Sequence, residues 1–403
     1  MTELRQQVER EAAAAHAAVG ELNDDGVAGA LSRAAELVGE RHDAIAAANA
    51  ADVAAADLDP GAMDRLRLDD GRIAALAGQL AELAGLPPLE RVEDRWTLEN
   101  GLRVETRRIP IGAVGANFEA RPNVAVDVAG QLLKSLNATV LRTGGAALRT
   151  VTVLVDEVLR PALADAGLPP AAVGLVRSPK REGARILVSL PHVLPLVILR
   201  GSGETTAALA GEAARHGVRT LAHAEGGGVL YLHDAADPAK AEALVAASLD
   251  RLGVCNRLNL LLVAREEQVP HELLERLGIA VREPLRTGHE WANDPDPGKV
   301  ASVTVRRVAS LDEALELANE ETSGLAAAIV SEDEAAARRF LDGYRGTAAY
   351  WNASTRFTDG FALTGSPETG INVDRVPGPR GPVTYRDLWL RQFRVVGDGT
   401  QHR

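Results

Sequence analysis

A thiol is among the best nucleophiles a protein can offer near neutral pH, and this chain of 403 residues has one cysteine, Cys255. It lies in the stretch ASLDRLGVCNRLNLLLV, residues 247–263, shortly before the apolar run Leu260-Leu261-Leu262-Val263. A short apolar run bounded by polar residues reads as a buried strand. Cys255 is therefore expected on a short loop entering a central strand, where a rigid scaffold aims it at a bound molecule. The competing reading is a small hydrophobe filling a core gap, inert like most buried cysteines. The rest of the chain favours chemistry.

The elements that must position the thiol follow from hydrophobic period. Residues 3–85 are Ala- and Leu-rich with charges at helical spacing, and breaks at Asn23–Gly26 and Leu58–Gly61 predict three helices. After Pro87-Pro88 the segment Trp96–Thr106 alternates around Asn100-Gly101, a hairpin signal whose exposed edge invites pairing with another chain. From Ile109 to about Ala224 short apolar strands alternate with amphipathic helices. The strands are expected at Ile111–Ala116, Thr139–Arg142, Val173–Val176 and Leu196–Leu199. That rhythm implies a parallel sheet covered on both faces, the usual dinucleotide-binding architecture. The turns Leu141–Gly145 and Leu199–Thr205 end two of these strands in glycines, and the second opens a helix whose free N–H groups suit a phosphate. Ser202 or Thr205 as a simple helix cap is the alternative. Residues 230–365 repeat the strand–helix rhythm and include Cys255. The tail from Glu368, with an aromatic stretch Tyr385–Phe393, is expected to dock on the hairpin or a second subunit.

Bulk properties narrow the function. The length implies two or three domains, and a net charge of −12 argues against nucleic acid, whose phosphates need clustered Lys and Arg. A lone cysteine makes no intrachain disulfide, which suits a reducing compartment. The N-terminal pattern has no apolar signal core and no stretch approaches a membrane span, so a cytoplasmic location is expected. Histidines such as His216, His223 and His233 lack metal-ligand spacing, so no metal is expected.

Several blocks, taken together, resemble a known family. They are Phe118-Glu119-Ala120-Arg121-Pro122-Asn123-Val124, Leu133-Lys134-Ser135, Val254-Cys255-Asn256, Asn352–Gly360 and Arg380-Gly381-Pro382. Their residues and order are similar to the gamma-glutamyl phosphate reductases of the aldehyde dehydrogenase superfamily. The resemblance implies an α/β aldehyde dehydrogenase-like fold: a Rossmann-type NADP-binding domain over 1–228, with an oligomerisation hairpin at about 94–110. A catalytic domain would follow over 229–365 and an oligomerising tail over 366–403. It implies NADPH-dependent reduction of L-glutamate 5-phosphate through a Cys255 thioester, in a homodimer or homotetramer.

The implied chemistry needs oxyanion donors and cations. Asn123 is the first candidate for a side-chain amide donor and Asn256 the second, beside their alternative as turn and cap residues. A small, doubly anionic substrate calls for Arg, since this chain has Lys only at 134, 180, 240 and 299. Arg121 and Arg356 head the list, with Glu119, Ser354 and Thr355 from the same blocks, and Arg251 as a further cation near the thiol. A surface salt bridge is the alternative for each arginine. Arg142, Gly144, Gly201, Ser202 and Glu225 are the expected cofactor contacts.

Departures from the family pattern lie around the cofactor, at Arg142–Ala147, Leu199–Ser202, Ala222–Gly227 and Asp294–Gly298, and before the nucleophile, at Asp250-Arg251-Leu252-Gly253. They motivate two alternatives, a relative acting on another acyl phosphate or aldehyde, and a non-catalytic relative retaining fold and assembly.

Overall fold

The computed structural model describes residues 2–58, 60–201, 203–223, 226–252, 254–282, 301–373 and 378–401. Ser202, Glu225 and the segment 294–298 lie outside the described residues.

The N-terminal helical region forms five helices, Glu3–Ala18, Asp24–Glu40, His42–Ala55, Pro60–Leu66 and Asp70–Gly85, where three were expected. The additional breaks are local. Asp69 caps the last helix by accepting from Arg72 N, and the chain turns at Arg41 between the second and third. Their apolar faces bury Leu31, Leu37, Leu76, Leu80 and Leu83 in the same core as the first parallel sheet.

That sheet has five parallel strands in the spatial order Val173–Leu175, Ala138–Thr143, Ala113–Phe118, Leu196–Arg200, Arg219–His223. In chain order this is the 3-2-1-4-5 arrangement of a doubly wound sheet. The strand order reverses between Ala113–Phe118 and Leu196–Arg200, and ligands of such sheets bind outside the carboxyl ends at that point. The helical stretch Leu148–Asp165 is interrupted by a π-turn at Leu154–Leu159, just before Pro161, which cannot donate an in-helix hydrogen bond.

The second parallel sheet has six strands, with Leu258–Val263 third in line between Ser302–Arg307 and Gly228–Leu232. Every residue of Leu258–Val263 is buried, because helices cover both faces of a central parallel strand. Two members of this sheet, Ala280–Arg282 and Ala348–Trp351, are short and only partly buried and were not among the strands expected from the sequence.

The hairpin forms from Val92–Thr97 and Arg103–Pro110 with Gly101 at φ 86° in its turn. The tail strand Trp389–Val396 pairs antiparallel with Arg103–Pro110, completing a three-stranded sheet. Its Trp96 and Phe393 meet edge to face at 6.2 Å, yet both remain exposed, as do Leu390 and Val395.

Candidate active site

Cys255 is half-buried, on the loop that feeds the central strand Leu258–Val263. The loop is held by backbone alone on one side. Gly227 N donates to Cys255 O at 2.6 Å, and a Cβ on Gly226 would lie 2.5 Å from that same oxygen. Two main chains touch here, which only glycine permits.

On its other side the loop is fastened by the Asn352–Gly360 block. Asn256 Nδ2 donates to Arg356 O at 3.0 Å and to Thr358 O at 2.9 Å. Arg356 returns a hydrogen bond to Asn256 Oδ1 and pairs with Asp250 at 2.7 Å. Thr355 Oγ1 donates to Asn256 O at 3.0 Å, and Ser354 shares a hydrogen bond with Ser248 at 2.8 Å. Asn256 thus has both amide hydrogens committed to carbonyls and is left with none for an oxyanion. Ser354, Thr355 and Arg356, read from the sequence as substrate contacts, make these hydrogen bonds to the nucleophile loop and the helix before it.

A cavity of ≈ 660 Å³ opens beside Val254, walled by Arg65, Arg67, Arg72, Arg121, Arg200 and Arg251. Its acids are Asp64, Asp127, Asp359 and Glu368. A chain of net charge −12 therefore gathers arginines at one cleft, as an anionic ligand requires. Arg72 is spoken for: it donates to Asp64 and to the carbonyl of Arg67, closing the turn between two N-terminal helices. Arg121 lies close enough to Cys255 to favour its thiolate, as does Arg200, which the sequence reading placed only in a turn.

Asn123 opens the helix Asn123–Lys134 and lines the cavity, with Nδ2 donating to Asp127 Oδ2 at 3.1 Å. That helix carries Asn123, Asp127 and Gln131 at i, i+4 and i+8, a polar stripe on an otherwise apolar element. Gln131 is fully buried and fixes the segment after Gly365, donating to Ser366 Oγ at 3.2 Å and Pro367 O at 2.6 Å. The next residue, Glu368, comes to the site beside Asp127. Burial pushes the Asp127 carboxyl up to about 7, with Arg200 opposing and Glu368 adding to the rise. Glu368 is raised mainly by burial as well. Burial pushes the Cys255 thiol up to about 11; the Glu368 charge adds to this, while Arg200 and Arg121 pull the other way.

At the switch point, Gly201 lies under Glu119, whose carboxylate would stand 3.0 Å from any Cβ placed there. Gly144 opens on empty space. Arg142 spends its fork on protein, donating to Asn117 Oδ1 at 3.1 Å, Pro179 O at 3.2 Å and Lys180 O at 3.1 Å. Arg142 Nε, Thr143 Oγ1 and Arg200 Nε are buried without a partner among the described residues, at the carboxyl ends of the two strands that flank Ala113–Phe118. Unpaired polar atoms so placed fit the phosphates and sugar hydroxyls of a dinucleotide.

A doubly wound sheet joined to a second parallel sheet, with one cysteine aimed from the loop before its central strand, defines an oxidoreductase of the aldehyde dehydrogenase type. The aldehyde dehydrogenase family model matches residues 3–303 and 299–381, and the chain belongs to that family, with its similarity running to the gamma-glutamyl phosphate reductases. It is 38% identical over 397 residues to the gamma-glutamyl phosphate reductase of Anaeromyxobacter dehalogenans, covering 92% of this chain and 91% of that one. The Chloroflexus aurantiacus enzyme of the same name is 36% identical, with 97% of both chains covered. The crystal structure of gamma-glutamyl phosphate reductase from Thermotoga maritima superposes with a TM-score of 0.90 at 28% identity, covering 98% of this chain and 100% of that one. An acetylating aldehyde dehydrogenase from Geobacillus thermoglucosidasius shares the fold, with a TM-score of 0.74 at 16% identity.

Proposed function

We propose that the chain reduces L-glutamate 5-phosphate to L-glutamate 5-semialdehyde and phosphate, with NADPH as reductant, as a step of proline synthesis in the cytoplasm. The observation that carries this reading is the placement of Cys255 beside an arginine-walled cleft, in a chain similar along nearly its whole length to gamma-glutamyl phosphate reductases.

The Cys255 sulfur attacks the C5 carbonyl; a C–S bond forms, the bond from C5 to the bridging oxygen breaks, and phosphate leaves with that electron pair and takes up the thiol proton. Arg121 and Arg200 favour the attacking thiolate and receive the negative charge of the leaving group. A second hydrogen on Asn123 Nδ2, beyond the one given to Asp127, is available to the developing oxyanion. A bound nicotinamide cofactor supplies the hydride that takes the thioester carbon to the aldehyde level. The sulfur then departs with the C–S electrons and Cys255 is ready for another turnover. Gly144, Gly201, Thr143 and the unpaired nitrogens of Arg142 and Arg200 would hold the cofactor at the carboxyl ends of the five-stranded sheet. That sheet with its helices serves as the cofactor unit and the six-stranded sheet as the catalytic unit. The hairpin and tail strand, with Trp96, Leu390, Phe393 and Val395 exposed, form the surface on which copies of the chain associate.

The test runs the reaction backwards: glutamate 5-semialdehyde, inorganic phosphate and NADP, followed by absorbance of NADPH. Phosphate-dependent reduction that vanishes in Cys255→Ala supports the reading. Turnover indifferent to phosphate, or surviving in Cys255→Ala, overturns it.

A further inference from the structure

The carboxylates Asp127 and Glu368 line the cavity together, and no step above uses either as an acid or base. They reach it from different parts of the fold, Asp127 on the third residue pair of the helix Asn123–Lys134 and Glu368 on the segment that Gln131 anchors to the same helix. Their charges are not balanced. Arg200 is the cation that acts on both. Asp127 Oδ2 accepts from Asn123, while Asp127 Oδ1 is buried with no partner among the described residues. Glu368 Oε2 accepts from Gly360 N at 2.8 Å. Two buried carboxylates facing one guanidinium lack a positive charge and a hydrogen-bond donor, a costly state to leave uncompensated.

We infer that Asp127 and Glu368 form the seat for a primary ammonium group of the substrate, so that the enzyme selects acyl phosphates of amino acids over those of plain dicarboxylic acids. The inference rests on the proposed function and deepens it. An ammonium has three donors, enough to satisfy Asp127 Oδ1 and reach Glu368. The site adjoins the thiol, since the Glu368 charge is felt at Cys255, and the α-ammonium of a glutamyl group lies three carbon–carbon bonds and one carbon–nitrogen bond from the reacting carbonyl.

The experiment compares two aldehydes in the phosphate- and NADP-dependent direction: glutamate 5-semialdehyde, and 5-oxopentanoate, which has the same chain and carboxylate but no ammonium. Wild type is expected to prefer the amino aldehyde in kcat/KM by about tenfold to a hundredfold, the usual worth of a charged hydrogen-bonded contact. In Asp127→Asn the KM for the amino aldehyde rises by about tenfold or more, while the KM for 5-oxopentanoate is unchanged or falls. Glu368→Gln shifts the preference in the same direction and decides the matter should the first variant not fold. Because ammonium binding needs an ionised carboxylate, the KM for the amino aldehyde also falls as pH rises through about 7, where Asp127 titrates among Asn123, Arg200 and Glu368. The KM for 5-oxopentanoate shows no such fall. Equal losses on both aldehydes in the variants, or a wild type without preference, overturn the inference while leaving the proposed function standing. Inactivity of wild type on both aldehydes overturns the proposed function and the inference with it.

Discussion

The thiol of Cys255 is held protonated at neutral pH by its own surroundings. Burial is the largest cause and the charge on Glu368 the next, against the pull of Arg200 and Arg121. Alkylation of the free enzyme by iodoacetamide should therefore be slow at pH 7 and accelerate towards pH 11, where the thiolate forms. Glu368→Gln removes a charge that raises the thiol, so its alkylation curve moves to lower pH. An unchanged curve would show that Glu368 does not act on the sulfur. At this scale the sequence disclosed the nucleophile, because a single cysteine before an apolar run is visible without a fold. It did not disclose Asp127 or Glu368. The signal for Asp127 was present, a lone acid inside Val124–Lys134 at helical spacing from Asn123 and Gln131. Glu368 gave none, because only the folded chain brings it to that helix.

The Asn352–Gly360 block is recognisable in the sequence because the fold holds its residues to fixed partners. Several of its residues have fixed partners on the nucleophile loop or at the end of the helix Pro238–Ser248 that leads into it. Asn256 meets Arg356 and Thr358, Thr355 meets the Asn256 carbonyl, and Ser354 meets Ser248. A pattern in the sequence shows that residues are constrained without showing whether ligand or protein constrains them. The glycines opposite make the complementary point. A Cβ at Gly226 would press on Cys255 O at 2.5 Å, and one at Gly228 on Thr355 Oγ1 at 2.3 Å. Gly226→Ala must displace the nucleophile loop, and turnover should fall by about a hundredfold, as small misplacements of reacting groups do. Full activity in this variant would mean that the loop is not held as described.

For the molecule as a whole, strand–helix alternation was enough to read two parallel α/β sheets, since buried parallel strands are continuous apolar runs. The edge strands Ala280–Arg282 and Ala348–Trp351 were missed for the same reason, being short and only partly buried. The order of strands was not legible at all: the reversal between Ala113–Phe118 and Leu196–Arg200 is a property of packing, and it is what places a crevice beside Glu119 and Gly201. Nor did the sequence show that arginines from the N-terminal helical region, Arg65 and Arg67, share a cavity with Arg121, Arg200 and Arg251 from other parts of the chain. The cleft belongs to the assembled protein, with Val254, the residue before the nucleophile, in its wall.

The covalent step is the claim on which the account stands, and mass spectrometry of the intact protein tests it most directly. Incubated with L-glutamate 5-phosphate and no reductant, the protein should gain the mass of one glutamyl group, located on Cys255 by peptide mapping and released by hydroxylamine. An unmodified protein in that experiment, or a glutamyl group found on any other residue, would contradict it.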